Sequence, residues 1–119
     1  MPFRPVDALL PLTPIAFEIL LALVEEDRHG YAILRAVDAR VKGRLPLRTG
    51  TLYRALARLV EDGLIEELSA PKDEGGGEDP RRRVYAMTKR GRSVARAETE
   101  RLADQVAAAR SRKLLPGRP

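Results

Sequence analysis

Residues 69–81, SAPKDEGGGEDPR, hold three consecutive glycines between Pro71 and Pro80, a composition that forbids regular structure and marks a loop. This loop constrains the fold through what it separates. Ahead of it, LIEEL (64–68) follows Gly63 and is too short for a helix. Behind it, RVYAM (83–87) contains Val84 and Tyr85, which favour extended backbone. Two short strands joined by a long tip predict a hairpin whose tip projects from the sheet, with helical sequence before and after it.

The helical part begins at LTPIAFEILLALVEEDRHG, where Thr13 is placed to cap and Pro14 occupies the first helical position, at which its missing N–H costs nothing. Ile15, Ile19, Leu20, Leu23 and Val24 recur at helical spacing. A second helix reads from GYAILRAVDARVKG, with Ile33, Val37 and Val41 four apart and Gly43 as the stop. The third, RTGTLYRALARLVEDG, begins at Thr49 or Thr51 as cap and ends at Gly63. On its wheel Leu52, Leu56, Leu59 and Val60 share one face, and Gly50, Arg54, Ala57, Arg58 and Glu61 share the other. After the hairpin, Thr88 caps a final helix running toward Lys113, with apolar positions Val94, Ala97, Leu102, Val106 and Ala109. The apolar run Ile15–Val24 contains Glu18 and stops at Glu25, short of the roughly 20 residues of a membrane span. Only Arg4 precedes PVDALLPLTP, so a secretory signal is not expected and the cytosol is the default compartment.

Helix, helix, helix, strand, tip, strand is the order of a winged helix-turn-helix, a mainly α (α+β) fold with a two-stranded wing, in which the third helix enters the DNA major groove. The expected organisation is an N-terminal extension (1–12), a winged helix-turn-helix domain (13–88), a long C-terminal dimerisation helix (89–113) and a frayed tail (114–119). On the third helix, Gly50 and Ala57 keep the outward face low for close approach, while Arg54 and Arg58 are long enough to reach guanine edges or phosphates. Arg48 and the hydroxyls of Thr49 and Thr51 sit at its N-terminus, where backbone N–H groups favour phosphate. No acidic residue lies between Arg40 and Val60. Arg81, Arg82 and Arg83 follow the wing tip and are placed to track the phosphate backbone beside the groove. Strand alternation allows at most two of them to point the same way, with Arg81 and Arg83 as one pair.

The partner expected from these residues is double-stranded DNA. A formal net charge of +5, from 22 Lys and Arg against 17 Asp and Glu, agrees with a polyanionic partner. One histidine and no cysteine exclude thiolate metal sites, disulfides and most nucleophilic chemistry, so neither an enzyme nor a cofactor is expected. His29, at the turn before the second helix, reads as a cap or a phosphate contact. The long final helix has too little of its own domain left to cover its apolar stripe, and pairing with a second copy would bury it. Homodimerisation follows, with Glu98, Glu100, Asp104, Arg96 and Arg101 as candidate partner-selecting charges. A nonspecific nucleic-acid binder and a protein-interaction winged helix are the alternatives that these features leave open.

Three blocks, HGYAI (29–33), GTLYRALARLVEDGLI (50–65) and RRRVYAMTKRGR (81–92), resemble the signature blocks of PadR-family transcriptional regulators in order and spacing. The resemblance covers about residues 12 to 95 and implies a dimeric winged-helix repressor of the short branch, with a single C-terminal helix. It also implies that Tyr31 and Tyr53 lie near DNA phosphates. By wheel geometry alone Tyr53 falls at the flank of the outward face, with a core role the alternative, and Tyr85 packs under the wing. Some short members bind flat aromatic ligands between tryptophan-lined terminal helices. Here there is no Trp, so a small-molecule effector is not indicated by the sequence.

Overall fold

The computed structural model describes residues 5–45, 47–68 and 82–116. The expected wing tip, 69–81 with Arg81, therefore lies outside the described residues. A short 3-10 helix (Val6–Leu9) leads into α1 (Pro14–Glu25), β1 (Arg28–His29), α2 (Gly30–Val41), α3 (Thr49–Glu61), β2 (Ile65–Leu68), β3 (Val84–Met87) and α4 (Lys89–Ser111). The sheet is antiparallel in the order β1-β3-β2, with Glu67 opposite Tyr85 and His29 opposite Val84.

α1 is the hub, packing against α2, α3, α4 and β3. Thr13 accepts the Ala16 N–H at 3.1 Å, so the helix starts where its cap and N1 proline dictate. The core joins Ile19, Leu20 and Leu23 to Ile33 and Val37 of α2, Leu52 and Leu56 of α3, Ile65, Tyr85 and Val94. α3 ends in a Schellman motif: the Gly63 N–H reaches Val60 O, the Leu64 N–H reaches Leu59 O, and Gly63 adopts φ +76°. That turn sets the direction in which β2 leaves α3.

A polar junction then fixes α4 to the same turn. The Thr88 hydroxyl accepts the Gly91 N–H at 2.9 Å, capping α4, and donates to Gly63 O at 2.7 Å. The Thr88 N–H meets Leu64 O at 3.1 Å, and Arg90 Nε donates to Asp62 O at 3.0 Å. Gly91 sits against the Leu64 carbonyl so closely that a Cβ built on it would lie 1.9 Å from that oxygen. The Thr-x-x-Gly spacing is thus a structural clamp, its hydroxyl and missing side chain both needed where α4 crosses the α3–β2 turn.

Four features depart from the sequence reading. Neither Thr49 nor Thr51 caps α3: the N-cap is Arg48, with no side-chain cap bond, and both threonines are already helical. β1 is a third strand, two residues long, recruited by pairing to β3 rather than by any propensity of its own. His29, one of its residues, occupies the expected N-cap position of α2 but makes no side-chain cap bond there. The first half of α4 belongs to the domain core, with Gly91, Val94, Ala95 and Glu98 all buried. Val94, expected in the dimerisation stripe, is fully enclosed by its own chain.

Glu98 is the buried carboxylate of this core, 2% exposed. It accepts Arg101 Nε at 2.7 Å and a second guanidinium nitrogen at 2.8 Å, and its other contact is the Leu12 N–H at 3.3 Å. Expected as partner-selecting charges between protomers, Glu98 and Arg101 are instead paired within one chain, tying the N-terminal segment to α4. The Arg101 hydrogen bonds hold the Glu98 carboxyl below its ordinary value of 4.5 against the opposing effect of burial, helped by Arg101's charge and the Leu12 N–H. A depressed carboxyl stabilises the fold at pH above its unfolded value and loses that contribution as pH falls through the folded one. Thermal melts should show Tm falling below about pH 4.5 for the native chain. Glu98→Gln should cost about 2 kcal/mol at neutral pH and flatten that acid limb. Parallel acid limbs in the two proteins would refute the assignment.

Candidate nucleic-acid interface

α3 presents its two faces as the wheel predicts. Leu52, Leu56 and Leu59 are buried, while Gly50, Arg54, Ala57, Arg58 and Glu61 are all exposed. The arginines differ in their surroundings. Arg58 reaches Asp62 one turn on at 3.5 Å, an exposed pair worth little against a phosphate. Arg54 makes no ion pair with any described residue, and neither does Arg48. Helical side chains lean toward the N-terminus, and the Arg54 guanidinium lies over Gly50, 3.3 Å from where a Cβ would stand. Gly50 therefore does more than lower the helix surface: it leaves the space in which the Arg54 side chain lies. At the N-terminal end, Arg48 and Thr49 are exposed and Thr51 is half-buried.

Around α3 the candidates separate. Tyr31, at the start of α2, is 52% exposed, with the Arg35 guanidinium 5.9 Å from its ring centroid, so the two form a joined aromatic and cationic surface. Tyr53 is different, because its ring packs on the core and its hydroxyl is buried. The expectation that it lies near phosphate is corrected: the flank position on the wheel is turned inward. Tyr85 is 3% exposed in the central strand, as a residue packed beneath the wing should be. Burial, with Glu67 nearby, raises its hydroxyl pKa above the ordinary 10.0 despite a hydrogen bond with Arg83.

Of the wing arginines, Arg82 is exposed and Arg83 is half-buried. Arg83 reaches Glu67 of the neighbouring strand at 3.4 Å, and its carbonyl accepts the Gly30 N–H at 3.0 Å, joining the wing to α2. Its expected pairing with Arg81 lies partly outside the described residues; within them Arg83 is engaged by the diagonal carboxylate of Glu67 on β2, which helps hold the hairpin. The missed signal is Glu67 in LIEEL, which only the strand register places beside Arg83.

Beyond Glu98 the chain leaves α4 largely uncovered. No residue from 99 to 111 is buried; Ala97, Leu102 and Ala109 are half-buried and Val106 is 41% exposed. The exposed Val24 and half-buried Leu21 of α1 line a groove with Ala95 and Thr99 of α4, so the apolar stripe continues onto α1. No helix among the described residues is long and apolar enough to cross a membrane.

Comparison with known proteins agrees with this geometry. Residues 19–97 match the transcriptional regulator PadR-like family. A PadR family transcription regulator from Clostridium difficile superposes with a TM-score of 0.67 at 24% identity, over 83% of this chain and 97% of that one. RosR of H. salinarum is 26% identical with a TM-score of 0.63, over 90% of this chain and 99% of that one. A transcriptional regulator from Clostridium thermocellum is 25% identical with a TM-score of 0.65, over 82% and 87% of the two chains. An uncharacterized protein of Lysinibacillus sphaericus is 29% identical over 75 residues, a match spanning 63% of this chain and 65% of that relative.

Proposed function

We propose, from the premise that this chain belongs to the PadR-like family of transcriptional regulators, that it is a repressor binding a two-fold symmetric operator as a homodimer. The family is one of transcriptional regulators, and membership supports a DNA-binding regulatory role for this chain. The observation that carries the finer reading is the outward face of α3, where Arg54 stands uncompensated over Gly50 between Arg48 and Arg58, with no carboxylate until Glu61. In the major groove Arg54 reads a base edge, because a guanidinium offers two parallel donors to guanine. Arg48 and Thr49, with the α3 N-terminus, take a phosphate. Arg58 exchanges Asp62 for a second phosphate, and Arg82 and Tyr31 extend the contact to the flanking backbone.

Dimerisation joins α4 to α4 through Leu102, Val106 and Ala109, which share one helix face, with the exposed apolar side of α1 completing the seam; Ala97, half a turn round the helix from Val106, falls outside it. The support is that no residue of α4 beyond Glu98 is buried by the described residues, whereas Gly91, Val94, Ala95 and Glu98 of its first half are. A two-fold dimer presents two α3 helices to successive major grooves, so half-sites should recur about one helical turn apart.

The test is selection from a random duplex pool at near-physiological salt, followed by sequencing of the retained DNA. Enrichment of a two-fold symmetric motif is expected. Retention without enrichment, vanishing as salt rises, would instead show a polyanion binder that reads no sequence.

A further inference from the structure

A groove of about 440 Å³ runs between the N-terminal segment and the side of α3, within the roughly 300–1,000 Å³ of small-molecule sites. Leu9 and Leu12 line one side, Ala55 and Leu59 the other, and its apolar lining is entirely aliphatic, with no aromatic ring on which a flat ligand could stack. Arg54, Arg58 and Asp62 also line it. Because Asp62 is engaged with Arg58 at 3.5 Å, one positive charge, that of Arg54, has no compensating carboxylate among the described residues. An aliphatic trough beside a single uncompensated guanidinium complements a molecule with a hydrocarbon chain and one anionic end.

We infer that this groove binds a medium-chain aliphatic monocarboxylate, its chain between Leu12 and Leu59 and its carboxylate on Arg54. The consequence for regulation rests on the reading of Arg54 as a base-contacting residue: the carboxylate and the operator then compete for one guanidinium, and the ligand releases the protein from DNA. No motion between two conformations is required.

The experiment uses the isotope-labelled full chain with octanoate, below its micelle concentration, and 1-octanol, which keeps the chain and removes the charge. Octanoate should shift the amides of Ala8, Leu9, Ala55 and Leu59 saturably. 1-Octanol should bind about tenfold more weakly, the equivalent of one lost charge-assisted hydrogen bond. Arg54→Gln should lower octanoate to the level of 1-octanol. Ala8→Trp, which fills the groove from a residue outside the DNA-contacting set, should abolish octanoate binding and retain the selected duplex. Saturating octanoate should then displace that duplex from the native protein but not from Ala8→Trp. Equal affinities for octanoate and 1-octanol, or shifts confined to α4, overturn the site. These titrations contain no DNA, so their failure is distinct from failure to enrich a motif, which would overturn the operator reading. Undisturbed duplex binding at saturating octanoate overturns the competition.

Discussion

Gly91→Ala should be among the most damaging single substitutions in this protein, lowering Tm by roughly 10–20 °C, the equivalent of about 3–5 kcal/mol. The added methyl would stand 1.9 Å from Leu64 O and 2.9 Å from its carbonyl carbon, with Met87 at 3.1 Å on another side. Two of these neighbours are backbone, so no rotamer change relieves the clash. α4 must move away, and the movement stretches the bonds of Thr88 to Gly63 O and Leu64 O and of Arg90 to Asp62 O. Overpacking alone costs about 1–3 kcal/mol, and buried carbonyls deprived of donors add to it. Gly50→Ala is the matched control, since its methyl meets only the flexible tip of Arg54 at 3.3 Å. Replacing a helical glycine there should leave Tm unchanged or raise it. Calorimetric melts of the two variants decide the matter. A Gly91→Ala protein melting within a few degrees of the native chain would show that α4 is not clamped at the α3–β2 turn.

What the sequence disclosed follows from which interactions are local. The faces of α3 were legible because helical periodicity needs only residues three and four apart, and every assignment on that wheel from Leu52 to Glu61 matches the observed burial except Val60, which is half-buried. Thr13 and Thr88 were legible as caps for the same reason, each bonding the N–H three residues on. α4 was legible as a helix but not in its partners. Its stripe continues through Val94 without any signal that the domain core ends near Glu98, because that boundary is set by α1 and by Leu12, 86 residues away. The inward turn of Tyr53 and the Glu67 contact of Arg83 were illegible for the same reason. The strand register brings Glu67 to Arg83, and a buried environment encloses the Tyr53 hydroxyl, and neither is written in the residues nearby. The local charge pattern around Arg48, Arg54 and Arg58 survived because surface arginines needed no distant partner to be recognised as exposed.

Arg54→Ala and Arg82→Ala should fail on DNA in different ways. Arg54 stands on α3, the helix proposed to enter the groove, without an ion-pair partner among the described residues and lying over Gly50. If it reads a base, its loss costs about 1–3 kcal/mol at each half-site, so the proposed dimer loses about 2–6 kcal/mol on its operator and far less on random DNA. That is a fall in affinity from roughly thirtyfold to ten-thousandfold, with relaxed preference at one position of each half-site. Arg82 is exposed beside the wing, and in the proposed complex its partner is phosphate, which is the same on every sequence. Its loss should weaken operator and random duplexes alike and reduce the salt slope by about one per protomer. Binding isotherms for both variants on both duplexes, at several salt concentrations, separate the two effects. Equal losses on specific and random DNA for Arg54→Ala would remove α3 from base recognition and leave its arginines with a role on the phosphate backbone only.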